Sequence, residues 1–125
     1  MLVEKIEQKW INCFRESFQL SGISSDHIVA ILAETQSRQI LVDITENALQ
    51  LIGAKPIKII APTPAASDIL PLRSTGTSLA LDGYDSIIPL LSACDLIIDC
   101  TVEGILHTRV LRNIIKNSGR VLMIS

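Results

Sequence analysis

Asp99, Glu103 and His107 stand at intervals of four in a 125-residue chain. On one continuous helix that spacing would align two carboxylates and an imidazole as metal ligands. Gly104 interrupts the run, however, and an apolar segment of strand length ends where it begins. Asp99-Cys100-Thr101-Val102-Glu103-Gly104-Ile105-Leu106-His107 therefore reads as a strand end followed by a loop. Asp99 is expected to be buried and to accept backbone N–H groups, with His107 at the surface. A second group is Glu34-Thr35-Gln36-Ser37-Arg38, a carboxylate, an amide, hydroxyls and a guanidinium at a helix start, where an anion can be held. The plainer alternative is a capped turn with Arg38 in water. A third, Arg73-Ser74-Thr75-Gly76-Thr77-Ser78, sets hydroxyls around one glycine and reads either as a cradle for phosphate or carboxylate or as a polar surface loop.

Stronger signatures are missing. Neither G-x-x-x-x-G-K-[ST] nor G-x-G-x-x-G occurs. The two histidines, His27 and His107, have no evident nucleophile partner, and two are too few for a self-contained metal centre. His27 opens an apolar strand and reads as structural. Cys13, Cys94 and Cys100 form no C-x-x-C pair; the latter two flank a strand and read as small buried hydrophobes.

These groups need elements to position them. Val3, Ile6, Trp10, Cys13, Phe14 and Phe18 form one helical stripe over residues 2–20. Ile28 to Ala33 is an unbroken apolar run, the mark of a strand covered on both faces. Ser37 is expected to cap a second helix with the stripe Ile40, Leu41, Ile44, Ala48, Leu51 and Ile52, closed by Gly53 and Pro56. A strand follows at Ile57 to Ala61. Residues 62–85 are irregular, a length that usually carries function or a small hairpin. Ser86 is expected to cap a third helix containing Pro89 in its first turn, with Ile88, Leu91 and Ala93 apolar. Leu96 to Ile98 is a third strand, Val110, Leu111, Ile114 and Ile115 mark a fourth helix, and Val121 to Ile124 is the last strand.

Gly22, Gly53 and Gly119 each end a helix before a strand, where a left-handed cap is expected. Alternating strands and helices imply right-handed crossovers and a parallel sheet. The fold class expected is α/β, a small doubly wound (Rossmann/flavodoxin-like) parallel sheet of about four strands in the order 2-1-3-4, with helices on both faces.

Size and composition agree with one domain over residues 1–125. Apolar residues make up 48% of the chain and charged residues 19%, so the core can form without disulfides or metal. A net charge of −2, with scattered cations and 3% aromatics, argues against nucleic acid as a partner. No apolar block approaches the ~20 residues of a membrane span, and the start is no signal peptide, which places the protein in the cytoplasm. The chain stops at the carboxyl end of its fourth strand, where such sheets carry ligand loops. The expectation is an amino-terminal piece of something longer.

The Glu34 to Arg38 and Asp99 to His107 stretches, together with Arg120-Val121-Leu122-Met123-Ile124-Ser125, resemble the amino-terminal domain of a metalloenzyme family. That family joins the thermophilic leucyl-type metalloaminopeptidases (aminopeptidase T and S) to the iron-dependent 2,5-dihydroxypyridine 5,6-dioxygenases. Arg73-Ser74-Thr75-Gly76 is similar to its connecting loop. The resemblance implies a two-domain enzyme whose metal is held in a carboxyl-terminal domain outside this chain: Fe(II) for a dioxygenase, Zn or Co for a peptidase. No metal ligand or catalytic residue is carried over. The implied role is the wall of a cleft for a small-molecule substrate, with Glu34, Gln36, Arg38, Arg73, Asp99, Glu103 and His107 as candidates, and a contact for a homo-oligomer. The two longer stretches look closer to the ring-cleaving dioxygenases. Two readings from other classes stand beside it: a self-sufficient module binding a small anion through Arg38, Arg73 and helix N-termini, and an assembly domain with no ligand.

Overall fold

The computed structural model describes residues 7–64, 78–117 and 119–124. In chain order these form α1 (Gln8–Leu20), β1 (Ile28–Glu34), α2 (Gln39–Ile52), β2 (Lys55–Ala61), a single 3₁₀ turn (Asp85–Ile87), α3 (Ile88–Ala93), β3 (Leu96–Asp99), α4 (Arg109–Lys116) and β4 (Val121–Met123). The four strands make one sheet in the order β2-β1-β3-β4, every pair parallel. Class and strand order are those the alternation of elements implies. Strand ends differ slightly: β1 runs on to Glu34 and β3 to Asp99, so both acids are strand residues rather than loop residues.

Period-two alternation divides the core between two faces. Val29, Ile31, Ala33, Leu96, Ile98 and Cys100 pack with Phe18 of α1 and with Val42, Ala48 and Leu49 of α2. Ala30, Leu32, Ile97 and Ala61 pack with Ile88 and Leu91 of α3 and with Val110, Leu111 and Ile114 of α4. Residues 29–32 of β1 and Ile97 and Ile98 of β3 are wholly removed from solvent, which for each large side chain contributes about 1.5–3 kcal/mol. The register sets Leu32 beside Asp99, so Glu34 and Asp99 share the face covered by α3 and α4.

Helix contacts depart from the stripes drawn from sequence. Trp10 and Cys13 are exposed, because α1 is covered on one side only and docks through Ile11, Phe14 and Phe18. Leu51 is also exposed; α2 buries Val42, Ile44, Thr45, Ala48 and Leu49. Thr45 can enter the core because its hydroxyl donates to the Leu41 carbonyl at 2.7 Å. Ser86 caps no helix; it sits in the 3₁₀ turn, and α3 starts after it with Pro89 in the first turn. Ile115 of α4 faces solvent.

Gly53 holds the left-handed conformation expected of a helix stop, with φ of 86°. Gly119 is needed for another reason. A Cβ there would lie 2.4 Å from Cγ2 of Ile114, so the chain passes too close to α4 for any side chain.

Candidate functional site

The chain leaves β1 toward β2 on one side and returns to β3 on the other, so the order of the sheet reverses between β1 and β3. In open α/β sheets the crevice outside the carboxyl ends of the strands at such a reversal is where ligands bind. Glu34 ends β1 and Asp99 ends β3, and the loops 35–38 and 100–108 leave from them.

Both acids are turned inward. Asp99 is fully buried; Oδ1 accepts the Thr101 N–H at 3.0 Å and its hydroxyl at 2.5 Å, and Oδ2 accepts the Ile105 N–H at 2.9 Å. Burial pushes the Asp99 carboxyl above its ordinary range, and these hydrogen bonds pull it partly back. The expectation of a buried Asp99 accepting backbone N–H groups holds. Glu34, 4% exposed, accepts the Val102 N–H at 2.6 Å and the Ser78 hydroxyl at 3.3 Å through one oxygen, Oε1. The Ser78 N–H in turn donates to the Gly104 carbonyl at 2.8 Å.

Ser37 does not cap α2. Its hydroxyl donates to the Cys100 carbonyl at 2.7 Å and accepts the Glu34 N–H at 2.8 Å, lacing the first loop to the second. The N-cap position of α2 is Arg38, which makes no side-chain cap. Thr35 and Thr63 lock the rest of the first loop. Thr63 Oγ1 accepts the Gln36 N–H at 2.9 Å, and Thr35 Oγ1 accepts the Thr63 N–H at 2.9 Å. Gly104, with φ of 80°, turns the second loop back before Thr108 caps α4 by accepting the Leu111 N–H at 3.3 Å.

The seven candidates therefore divide. Glu34 and Asp99 form the floor, Gln36 and Arg38 stand exposed on the first loop, Glu103 is half-buried on the second, and His107 is exposed at its end. Arg73 lies outside the described residues. His107 stands on the rim of a cavity of about 180 Å³, lined also by Ser78, Leu79, Asp82, Thr108, Arg109 and Val110. His27 is structural as expected: its Nδ1 accepts the Ser24 N–H at 3.1 Å at the amino end of β1.

Ser78, Thr101, Thr108 and Thr63 carry much of this geometry. Thr108 had a local signal, a hydroxyl before an apolar run. The bonds from Glu34 to Ser78 and Val102 span 44 and 68 residues, and no local pattern announces them.

Metal chemistry does not fit here. Among the described residues no three His, Cys, Asp or Glu side chains gather as ligands, and both oxygens of Asp99 are already engaged. Cys100 is buried and its thiol is pushed up to about 12, so it is an inert packing group rather than a nucleophile. What the site offers is a floor fixed by hydrogen bonds and a rim of amide, guanidinium and imidazole groups. Such a rim can orient a small polar or anionic molecule.

No described helix is long and apolar enough to cross a membrane. Among curated protein sequences none matches the chain. The fold is similar to that of the 2,5-dihydroxypyridine dioxygenase of Pseudomonas putida KT2440, with a TM-score of 0.80 and 23% identity, over 96% of this chain and 35% of that one. This chain thus spans about a third of the length of the enzyme it matches. The sequence model for 2,5-dihydroxypyridine 5,6-dioxygenase (NicX) covers residues 9–125. Both comparisons fall on the dioxygenase side of the resemblance, and neither brings in the aminopeptidases. Since the family match runs through all four strands and both rim loops, the chain belongs to the 2,5-dihydroxypyridine 5,6-dioxygenase family.

Proposed function

We propose that this chain is the amino-terminal α/β part of a two-domain, Fe(II)-dependent dioxygenase that opens the ring of a 2,5-dihydroxypyridine. Its role is to supply one wall of the substrate cleft. The observation that carries this reading is the family match over residues 9–125, which includes the crevice between β1 and β3. The iron belongs to the other domain, because the acids at this crevice are engaged by the backbone of their own loops. Gln36, Arg38 and His107 face the substrate, with Glu103 beside them. Glu34 and Asp99 act at one remove, by holding the loops that carry the others.

The test is a hybrid in which this chain replaces the matched third of the Pseudomonas putida enzyme. The hybrid should consume oxygen with 2,5-dihydroxypyridine, and Gln36→Ala or Arg38→Ala should raise KM with a smaller change in kcat. The 125-residue chain alone, supplied with Fe(II), should show no turnover. A hybrid that folds and binds iron yet leaves the substrate intact would remove the reading, and turnover by the isolated chain would misplace the metal.

A further inference from the structure

Between parallel strands, a bonded residue exchanges hydrogen bonds with the two residues that flank its partner. The register of β1 with β3 ends at Leu32 and Asp99, and the Cys100 N–H donates to the Leu32 carbonyl at 2.8 Å. Continued by one rung, this pattern would send the Glu34 N–H to the Cys100 carbonyl and the Val102 N–H to the Glu34 carbonyl. Side chains intercept both bonds. The Glu34 N–H donates to Ser37 Oγ at 2.8 Å, and that hydroxyl donates to the Cys100 carbonyl at 2.7 Å. The Val102 N–H goes to Glu34 Oε1 at 2.6 Å, and the Glu34 carbonyl accepts the Ser37 N–H at 2.9 Å.

Ser37 is therefore an inserted rung. Both backbone groups that it separates remain satisfied, so the ladder parts here without a stranded donor or acceptor. A short hydroxyl side chain just beyond a strand end is well suited to compete with the ladder for those groups. The other flank of β1 shows a related substitution. The Thr35 N–H follows the ladder to the Ala61 carbonyl at 3.0 Å, but the Thr63 N–H then meets Thr35 Oγ1 at 2.9 Å instead of the Thr35 carbonyl. The two flanks differ in what they border. The reversal of the sheet, and with it the crevice, lies between β1 and β3, on the Ser37 side.

We propose that Ser37 is a positioning residue whose hydroxyl, wedged between the Glu34 N–H and the Cys100 carbonyl, holds β1 and β3 apart and sets the width of the substrate crevice. The loop with Gln36 and Arg38 leaves from one side of the wedge, and the loop with Glu103 and His107 from the other. One oxygen atom thus fixes the separation of the two groups of rim side chains. Without it, the strands can close by the direct ladder bond, which narrows the crevice. A displacement on the order of 1 Å at the rim is enough to spoil the fit of a small molecule. The wedge stands on the geometry of this chain alone, and its effect on substrate rests on the dioxygenase reading.

Ser37→Ala in the 125-residue chain, read by NMR scalar couplings across hydrogen bonds, tests the wedge. The expected result is a coupling between the Glu34 nitrogen and the Cys100 carbonyl carbon that the native chain lacks. Ser37→Thr keeps the hydroxyl and should leave that coupling absent. In the hybrid enzyme, Ser37→Ala should raise KM about tenfold with kcat changed less than about threefold, and Ser37→Thr should restore KM. Arg120→Ala, at the opposite end of the sheet, should leave both constants unchanged. A Ser37→Ala chain in which water replaces the hydroxyl and no coupling appears would overturn the proposal. So would a hybrid whose urea midpoint falls with Ser37→Ala while its KM stays put, the mark of a bond that only stabilises. A hybrid inactive before any substitution counts against the dioxygenase reading alone, and the coupling in the 125-residue chain still decides the wedge. Should Ser37→Ala fail to fold, the native chain decides: a Glu34-to-Cys100 coupling present there removes the wedge, and its absence upholds it.

Discussion

The two ends of the sheet use the same chemistry in different solvent. At the amino ends Asp95 accepts the Ile28 N–H at 2.8 Å, and Arg120 reaches the Asp95 carbonyl at 2.8 Å and the Ser21 carbonyl at 3.4 Å, all exposed. At the carboxyl ends Glu34 and Asp99 also accept backbone N–H groups, but from buried positions. Exposed bonds exchange readily for bonds to water, whereas a buried donor that loses its acceptor has no substitute. The amino end is therefore a tie, and the carboxyl end is a fixed platform. The rim loops with the proposed substrate-facing groups stand on the platform.

The largest effect is expected from Asp99→Ala, which strands three buried donors and should cost about 3 kcal/mol or more, read as a shift of the urea midpoint. A loss under about 1 kcal/mol would mean that water reaches the floor, and the contrast between the two ends would fail. Glu34→Ala should cost about 2 kcal/mol, and Glu34→Gln less, since an amide oxygen can still accept the Val102 N–H. Equal losses for the two variants would show that charge, rather than the hydrogen bond, holds the loop.

The pH dependence sharpens the same point. Because burial raises the Asp99 pKa in the folded state, its contribution to stability is complete below its ordinary value of 3.8 and is lost as pH rises through the raised one. The stability difference between the native chain and Asp99→Asn should therefore shrink with rising pH across that window. A difference that grows would mean that the three hydrogen bonds outweigh desolvation.

The cysteines flanking β3 report on the two ends separately. Burial raises both thiols, Cys94 at the half-buried amino end and Cys100, to about 12, at the carboxyl end. Alkylation should modify exposed Cys13 first, Cys94 slowly, and Cys100 only on unfolding. The smallest effect is expected from Arg120→Ala: its bonds are exposed, and the urea midpoint should move by under about 1 kcal/mol.

Much of the frame was legible in the residues. Continuous apolar runs at 28–33 and 96–98 announced strands covered on both faces, and both are fully buried apart from Ile28. Helices were legible as elements but less well as faces. Trp10 and Leu51 fit a helical stripe and nevertheless face solvent, because period alone does not say how wide a strip the sheet covers. The candidate site was legible as a set of residue types. Asp99 was recognisable from its place at a strand end, but Glu34 carries no mark that separates a buried anchor from a solvated rim acid.

By itself, then, the sequence determined the alternation of elements, the parallel sheet and its order, and the two loops where polar chemistry gathers. Those follow from local periodicity and from the handedness of crossovers, which act over neighbouring residues. Only the tertiary structure decided that Glu34 grips Ser78 and Val102, that Ser37 serves Cys100 instead of α2, and that Gly119 is required by Ile114 rather than by its own φ. Each of those depends on a distance between atoms far apart in the chain or on the closeness of packed backbones, and neither is written in the order of residue types.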